Sequence, residues 1–484
     1  MDKNEMDNKN KSSEVEIDEE EAIEKTLEKA LGLGASYALA YITSSATTSF
    51  SVRDSIVEDI LTGYNIGFSI RVLAGGNWGF SSTNKTERIE DIFATVEYAV
   101  RAARAASKYS MRKWIRRGSI VSSHSCVNSR NVVKNDKIQL SEERRERHLF
   151  DIGVEKKAEV PLETKLSFVQ DIDRAVQSQK KGKRIEHCPA PAECNMDPFF
   201  KDHLVYDNII SGKAKGKVVS TNISYQDTLG HFLAGDTEGA LIGRGGAFFS
   251  LTLSSTAADG AHGIFQTFEN FHARNDFSRF YKMNIPAKAE FTAYRARVLL
   301  GAKQPEKGSF RVLLHPAVAG TLVHEVIGHS AEADSVQAKD SYFAGRVGTE
   351  IASPEITIVD DATLKGKFGT YSYDSDLVRS NKTVIIDKGV LKNILHSRET
   401  AYRAGIHSTG NSRAQSYEYL PTVRMSNTYL AAGDWGLDEM MDDRKIRYVM
   451  IGSGGGEVNT LGGEFTFGCE YAFKLRKGEV VEVV

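Results

Sequence analysis

The alternation of apolar and polar positions predicts a helix, several strands and a second helix in the first quarter of the chain. The first helix has apolar residues at helical spacing, and two glycines mark its end: Ile23, Leu27, Ala30 and Leu31, then Gly32 and Gly34. Alternating β-branched segments predict strands at 41–52, 56–62 and 66–73, and a turn at 74–77 leads into a further extended stretch at 78–80. A second helix is predicted at 89–106, with an apolar side made of Ile92, Phe93, Val96, Ala99, Val100 and Ala103. Helices beside antiparallel strands are typical of an α+β layer with the helices on one sheet face.

Further strands and helices are predicted beyond this first layer. The charged stretch 107–200 holds one predicted helix, and the pattern after it alternates between strands and a single helix. The predicted elements are a helix at 161–177, strands at 204–210, 217–225 and 247–256, and a helix at 287–302. After a polar linker at 303–308, a strand at 310–314 leads through His315 and Pro316 into a helix with candidate metal ligands. Strands return at 356–359 and at 383–386, and the latter pairs with 390–395 across a turn at 387–389.

These elements divide the chain into three predicted parts. Residues 1–18 form a disordered acidic tail, because they hold almost no core-forming side chains. Residues 19–304 form an N-terminal α+β domain of helices and antiparallel sheet, in which 110–200 is the least defined stretch. Residues 305–484 form a β-rich C-terminal domain that carries the candidate metal-binding helix.

The charge is balanced and the composition is that of an ordinary globular protein. The 484 residues contain 62 Lys and Arg against 64 Asp and Glu, a formal net charge of -2. No basic field points to nucleic acid as a partner, and a basic cluster is interpreted as solvated surface: Arg112, Lys113, Arg116 and Arg117. The N-terminal segment lacks the apolar core of a secretory signal, and no run of about 18 apolar residues is present to span a membrane. We therefore expect a cytoplasmic protein with no membrane partner.

The four cysteines do not form a disulfide framework. They are few and scattered for a chain of this size: Cys126, Cys188, Cys194 and Cys469. His187 with Cys188 and Cys194 is a candidate metal site, but the segment between the cysteines is typical of a loop and lacks a paired Cys-x-x-Cys. A loop without metal is the favoured interpretation.

The segment 324–329 reads His-Glu-Val-Ile-Gly-His and carries the strongest chemical signal. Neutral imidazoles at His324 and His329 can ligate zinc, and Glu325 can accept a proton from an activated water molecule. The histidines are five positions apart, about 140° around a regular α-helix, so such a helix would point them to different faces. A local widening to i→i+5 hydrogen bonds, which tends to occur at functional sites, would bring them together, and Gly328 marks the easiest place for it. Buried, hydrogen-bonded histidines without a metal are the alternative.

A series of short stretches accompanies this motif along the chain. They are Gly67, Pro421 and residues 32–37, 71–73, 78–83, 315–316, 332–334, 360–361, 411–413, 425–428 and 452–458. In their order and number, together with the motif, they resemble the TldD side of the TldD/PmbA family of zinc metallopeptidases, proteins once called modulators of DNA gyrase. The likeness covers roughly residues 20 to 475 and is weakest from 110 to 200.

The resemblance implies roles for the motif and a partner. His324 and His329 would ligate zinc and Glu325 would be the general base of a peptidase that acts on flexible or unfolded peptide segments. Family members work in a complex with a homologous TldE/PmbA subunit that lacks the metal motif. A subunit of that kind, or a self-dimer, is therefore the expected partner.

A glycine-rich run at 452–456 is the candidate substrate-binding segment. Gly454, Gly455 and Gly456 carry no side chains, so a peptide backbone can approach closely, and a neighbouring exposed strand could hold it by β-augmentation. A phosphate-binding loop is disfavoured, because no Lys-Ser/Thr follows the run and Glu457 would repel phosphate. A purely structural glycine turn is the alternative.

The third zinc ligand is not identified by the sequence. The resemblance implies a ligating Cys beyond the stretch that matches 470–484, whereas this chain stops at Val484. Cys469 is the candidate replacement, and the carboxylates of Glu332 and Asp334 are oxygen alternatives.

Two hypotheses from different classes follow. The first is a zinc-dependent peptidase that hydrolyses peptide bonds in flexible or unfolded segments, within a TldD/TldE-type complex. The second is a catalytically inactive subunit of the same fold that binds peptides or supports a partner. Direct action on DNA has little support from the balanced charge.

Overall fold

A computed structural model of the chain describes residues 18–117, 140–143, 145–150, 159–182, 185, 209 and 214–484. Its α-helices are α1 (Glu19–Gly32), α2 (Ile89–Arg117), α3 (Leu162–Lys180), α4 (Arg279–Lys282), α5 (Ile285–Leu299), α6 (Pro316–Leu322), α7 (Ala333–Ala338), α8 (Arg398–Ala404) and α9 (Leu437–Met441). The helices predicted from apolar periodicity are present, although α2 continues well past its predicted end. Across the described ranges, no helix combines the length and the apolar composition needed to cross a membrane.

A seven-stranded sheet is the main element of the N-terminal half. Its strands are β1 (Tyr37–Arg53), β2 (Ile56–Ala74), β3 (Asn77–Thr83), β4 (Arg147–Phe150), β5 (Lys217–Asp236), β6 (Leu241–Asp259) and β7 (Gly263–Arg274). The order is β3-β2-β1-β5-β6-β4, with β7 paired to β6, and only β4 and β6 run parallel. The prediction of two strands at 56–62 and 66–73 is wrong, because β2 is continuous. Gly63 pairs with Thr47 of β1, so the glycine lies within the ladder instead of ending it.

The helices cover one face of this sheet. Helices α1 and α2 pack on Ala38, Ala40 and Ile42 of β1, and α3 and α5 pack around Phe50 and Val52 farther along the same strand. Successive side chains of a strand point to opposite faces, so these even-numbered residues lie on the helix side. This arrangement confirms the predicted α+β layer.

The ends of helix α1 differ in detail from the prediction. Asp18 belongs to the predicted tail, but its carboxylate caps the helix by accepting hydrogen bonds from the backbone N–H groups of Glu20 and Glu21. Leu31 was predicted on the apolar face and is 46% exposed. It follows the fully buried Ala30 by one position, about 100° around the helix, which turns it away from the sheet. The tail at 1–17 and nearly all of the strand predicted at 204–210 lie outside the described residues.

The C-terminal half is rich in short strands. They are β8 (Arg311–Leu314), β9 (Ile358–Asp361), β10 (Lys382–Asp387), β11 (Val390–Leu391), β12 (Ser412–Arg413), β13 (Thr422–Val423), β14 (Thr428–Leu430), β15 (Ile446–Ile451), β16 (Gly456–Asn459), β17 (Glu464–Phe467), β18 (Tyr471–Arg476) and β19 (Glu479–Val483). They form the sheets β11-β10-β9-β14 and β19-β18-β15-β8 and the pairs β12-β13 and β16-β17. The predicted hairpin across 387–389 is confirmed, with Asp387 opposite Val390.

Helix α5 belongs to the cores of both halves. Ile285 and Ala289 pack in the core beneath the large sheet, whereas Phe291 and Tyr294 pack against β8, β15 and β18. Most of this helix is buried, including the side chains of Arg295 and Arg297, as expected of a helix that packs on both sides. The domain boundary predicted after residue 304 follows directly on this shared helix and stays a prediction.

The second face of the large sheet is covered by the C-terminal half. Tyr37 and Leu39 of β1 pack against Leu377. Nearby, Arg71 of β2 forms a buried ion pair with Asp376. The large sheet is therefore buried on both faces at this end, and the loops that cover it lead toward the candidate site.

Substitution of Gly79 can test how closely α2 packs on β3. A Cβ at Gly79 would lie 1.9 Å from the carbonyl oxygen of Ala99, whereas a Cβ at Gly63 would meet nothing within 4 Å. We expect Gly79→Ala to lower the free energy of unfolding by about 2 kcal/mol or more, because the helix backbone must move. The control Gly63→Ala should leave it unchanged or raise it by about 0.5 kcal/mol. Urea unfolding followed by circular dichroism measures both, and equal effects would contradict the close packing.

Candidate metal centre

The sheet β19-β18-β15-β8 fixes the direction of the helix that carries the motif. Strand β8 runs parallel to β15, and the N–H of His315 continues the ladder by donating to the carbonyl of Met450 at 3.0 Å. The imidazole Nδ1 of His315 then accepts a hydrogen bond from the backbone N–H of Ala317 at 3.2 Å and caps α6. Pro316 occupies the first turn, where a missing N–H costs nothing.

The helix widens at the motif, as the spacing of the histidines predicts. Residues Val323–Gly328 are π-helical, and the N–H of His329 donates to the carbonyl of His324, five positions earlier. The centroids of the two imidazole rings lie 4.8 Å apart, with the ring planes at 81°. The predicted i→i+5 widening is confirmed, and it gathers two side chains that a regular helix would separate.

His324, Glu325 and His329 form a compact group of metal-type donors. One donor atom of each lies within 4.8 Å of the others, and among the described residues no second group of three His, Cys, Asp or Glu does the same. The carboxylate Oε2 of Glu325 is 3.9 Å from Nε2 of His329. His324 is exposed and the other two are half-buried, so the group is open on one side. An open group of nitrogen and oxygen donors is typical of catalytic rather than structural metal sites.

Glu332 is hydrogen-bonded to His329 on the side of the imidazole that faces away from Glu325. Its Oε1 is hydrogen-bonded to Nδ1 of His329 at 3.3 Å, on the opposite side of the ring from Glu325. Its Oε2 accepts a hydrogen bond from the Arg424 guanidinium at 2.9 Å, and the glutamate itself is buried. A carboxylate on the far nitrogen fixes the orientation and tautomer of a ligating imidazole.

The two imidazoles have different electrostatic surroundings. Although His324 is exposed, desolvation of its ring by the surrounding side chains, together with the neighbouring His329, lowers the pKa of His324 below its ordinary value. A lower pKa favours the neutral imidazole, which is the form that binds a cation. The hydrogen bond with Glu332 raises the pKa of His329. A proton therefore competes with a metal ion more strongly at His329 than at His324.

Gly328 has a role that differs from the prediction. Its backbone is ordinary right-handed helix, with φ -60°, so the widened turn does not use the conformational freedom of glycine. A Cβ at Gly328 would instead lie 1.8 Å from Sδ of Met425. The glycine is needed because the segment before β14 packs directly on the helix.

The glycine-rich run lies against the motif. A Cβ on Gly456 would be 3.0 Å from Cγ of Glu325, and the hydroxyls of Ser453 and Thr321 hydrogen-bond at 2.7 Å. Gly455 has φ +80°, in the left-handed region that favours glycine, and Gly454 packs on the backbone of Cys469. The structure thus brings Gly456 beside Glu325, with Gly454 and Gly455 leading to it.

None of the candidates for a third ligand, which all lie within the described ranges, joins the donor group formed by His324, Glu325 and His329. In the described part of the chain, Cys469 does not join the donor group, and burial raises the pKa of its thiol, which disfavours the metal-binding thiolate. Asp334 accepts hydrogen bonds from the backbone N–H groups of Ser335 and Val423. Glu332 bonds the far side of His329. Each of these three candidates therefore either lies away from the donor group or is already hydrogen-bonded to another residue.

The residues that position His329, namely Glu332 and Arg424, were not identified in that role from the sequence. The position of Glu332 three residues after His329 on a helical segment was a usable signal, because residues at that spacing are neighbours. Arg424 follows Glu332 by 92 positions, and no local pattern connects them. The candidate metal site at His187, Cys188 and Cys194, for which a loop without metal was the favoured interpretation, and the side chains of the basic cluster 112–117 lie outside what the structure describes.

The chain is an α+β protein with a group of histidine and glutamate donors on a widened helix. Two family models match the chain: PmbA/TldA metallopeptidase domain 1 at residues 38–107, and the PmbA/TldA metallopeptidase C-terminal domain at residues 307–484. A metalloprotease of Methanocaldococcus jannaschii is 30% identical over 437 residues, which are 90% of this chain and 82% of that protein. The chain belongs to the PmbA/TldD family of metallopeptidases, as its resemblance predicted.

The chain is also similar to a relative that aligns with only part of it and to two solved structures. A zinc metalloprotease TldD homolog of Saccharolobus solfataricus is 31% identical over 186 residues, 38% of this chain and 41% of that protein. A protein of Thermotoga maritima described as a candidate modulator of a DNA gyrase matches with a TM-score of 0.66 at 18% identity, over 96% of this chain and 90% of that one. TldE of Thermococcus kodakarensis matches with a TM-score of 0.64 at 14% identity, over 96% and 89%. At these identities the structures show the fold alone.

The contact of Gly328 with Met425 can be tested by a compensating pair of substitutions. Gly328→Ala should lower the thermal unfolding midpoint, because its Cβ cannot coexist with the sulfur of Met425. In a Met425→Ala background the same substitution should cost much less, since the clashing atom is absent, although Met425→Ala itself lowers stability by emptying part of the core. Gly320→Ala in α6 is the control, because a Cβ there meets nothing within 4 Å. An equal loss from Gly328→Ala in both backgrounds would contradict the contact.

Proposed function

We propose that this protein is a zinc-dependent peptidase that hydrolyses peptide bonds in flexible or unfolded segments. The observation that carries the proposal is the widened helix, which gathers His324, Glu325 and His329 on one open face. Membership of a metallopeptidase family supports the same reaction class.

The donors present fit zinc. His324 and His329 would hold the ion through imidazole nitrogens, which zinc prefers, and Glu332 supplies the outer carboxylate that orients such a ligand. When bound, zinc supplies the Lewis acidity that activates a water molecule and polarises the substrate carbonyl. The name of the Saccharolobus solfataricus relative includes zinc, which supports this choice of metal.

Glu325 acts as the general base in this proposal. Its carboxylate is half-buried and lies beside His329 on the open side of the donor group. It accepts the proton of the attacking water and later delivers that proton to the leaving amine. Gly456 leaves space next to it, because any side chain there would crowd Cγ of the glutamate.

The substrate approaches along the hairpin that begins at Gly456. Strand β16 pairs with β17 alone among the described strands, so one edge of the hairpin is open to an extended peptide. Main-chain hydrogen bonds to such an edge require an unfolded segment, and Gly454 and Gly455 allow close approach. A photoreactive peptide that labels this hairpin supports the path, and labelling confined to other regions contradicts it.

The proposed partner is a homologous TldE-type subunit or a second copy of this chain. The likeness of the fold to TldE of Thermococcus kodakarensis supports an assembly of related subunits. Light scattering of the chain alone, and after mixing with such a subunit, separates the two assemblies. A monomer under both conditions contradicts the proposal.

Zinc content tests the two proposed ligands. His324→Ala and His329→Ala should each reduce bound zinc from about one ion per chain to less than about a tenth, because each removes half of the imidazole donors. His407→Ala is the matched control, since the side chain of His407 is 85% exposed and lies in the same half of the protein. Mass spectrometry of protein purified without chelators gives the measurement. Unaltered, folded protein without zinc would overturn the choice of metal.

The role of Glu325 is tested by an isosteric change. Glu325→Gln should lower kcat on a denatured protein substrate by about 10² to 10⁴-fold, the usual contribution of a general base, with zinc content and thermal stability unchanged. Glu355→Gln, which alters an exposed carboxylate of the same half, should keep the full rate. If the Glu325→Gln protein binds zinc and cleaves at the unaltered rate, Glu325 is not the base.

A further inference from the structure

A cavity of about 580 Å³ lies between the large sheet and the loops of the C-terminal half. Its floor is formed by the sheet, from side chains that point away from the helices, and its roof by residues 371–375 and 412–421. Its aromatic and apolar lining includes Leu39, Tyr41, Phe80, Phe232, Tyr371 and Tyr417. Neither motif histidine lines it, so the cavity is distinct from the donor group.

Much of the cavity wall consists of aromatic rings, and several of its polar atoms are already paired. The hydroxyl of Tyr41 donates to the Ser375 carbonyl, and that of Tyr371 donates to the Gly410 carbonyl at 2.7 Å. Arg71, also in the wall, is paired with Asp376. Because these polar atoms already have partners, the space favours an apolar or aromatic occupant.

The segment 411–425 is a wall of the cavity at one end and a support of the metal centre at the other. Near its start, Tyr417 lies over Gly67 of β2, where a Cβ would be 2.4 Å from the ring. At its end, Arg424 donates to Glu332 and Met425 packs on Gly328. Pairing of β12 with β13 places Arg413, which lines the cavity, opposite Thr422. The cavity and the donor group therefore share one short, hydrogen-bonded stretch of chain.

Arg413 lies in the cavity wall and is exposed. It pairs with Thr422 across β12 and β13, and Arg424, two positions after Thr422, donates to Glu332 beside His329. The cavity wall is therefore connected to the supports of the motif through a few residues of one hydrogen-bonded segment.

We propose that this cavity is a specificity subsite that takes a bulky apolar or aromatic side chain of the substrate close to the scissile bond. The inference rests on the proposed peptidase function and adds a preference to it. A volume of about 580 Å³ accommodates a Phe or Trp side chain with part of the neighbouring backbone. Thr43 lies in the floor, between Phe232 of β5 and Gly67 of β2, and a larger side chain there would narrow the space.

The test uses one Gly/Ser-rich decapeptide with a single Phe and matched peptides with Ala or Glu at that position. Binding is measured by fluorescence anisotropy in a Glu325→Gln background, and cleavage is measured with Glu325 intact. We expect the Phe peptide to bind about tenfold more tightly than the other two, and to be cut at a fixed distance from the Phe. Thr43→Phe should markedly reduce the preference for the Phe peptide, because the added ring occupies part of the cavity next to Phe232.

Thr47→Phe is the matched control, because Thr47 lies on the same strand and sheet face but does not line the cavity. It should keep the tenfold preference. Phe232→Ala, which enlarges the cavity, provides a second variant if Thr43→Phe does not fold, and it should shift the preference from Phe toward Trp. Circular dichroism confirms that each variant is folded.

The outcomes separate the subsite from the peptidase function. Cleavage without preference among the three peptides, or equal effects of Thr43→Phe and Thr47→Phe, overturns the subsite and leaves the peptidase. Tightest binding of the Glu peptide also overturns it, because Arg413 and not the apolar wall would then select the residue. A Phe preference in binding without any cleavage by the unaltered protein supports the cavity and overturns the peptidase function.

Discussion

The candidate metal centre depends on the widened turn between His324 and His329. With regular i→i+4 bonding the two imidazoles would lie about 140° apart around the helix and could not share an ion. The supports of this turn come from one distant segment: Met425 packs where a side chain at residue 328 would be, and Arg424 holds Glu332, which bonds His329. The same segment therefore constrains both the helix backbone and the orientation of one ligand ring.

Buried charge constrains how the C-terminal half lies on the large sheet. Arg71 pairs with Asp376 almost out of solvent, and Arg398, fully buried, donates to the Ser141 carbonyl and to Glu238. Such pairs add little to stability, since the desolvation of both ions offsets their attraction, but separating them leaves an uncompensated charge in a medium of low dielectric. A shifted packing of the two halves is therefore disfavoured, and the loops around the cavity and the motif are held in one position.

The structural features that could be predicted from the sequence are those that depend on residues a few positions apart in the chain. Helix α1, the β10-β11 hairpin and the widened turn all follow from spacings of a few positions. The continuity of β2 did not, because Gly63 is kept in the ladder by Thr47 on another strand. The packing of Gly328 on Met425 and the bond from Arg424 to Glu332 likewise join residues that are far apart in the chain. Periodicity identifies the face of an element, whereas the residue that meets that face depends on the tertiary fold.

The two glutamates around His329 are divided in role by their surroundings. Glu332 is buried, bonded to Nδ1 of the imidazole and paired with Arg424, so both its oxygens are engaged. Glu325 lies on the Nε2 side, half-exposed, beside a glycine that leaves space for a substrate. Acid–base chemistry needs a carboxylate that water and substrate can reach, whereas orientation of a ligand needs one that cannot move. In the proposed mechanism the same residue type thus serves two functions, because one glutamate is accessible and the other is fixed by an arginine from a distant segment.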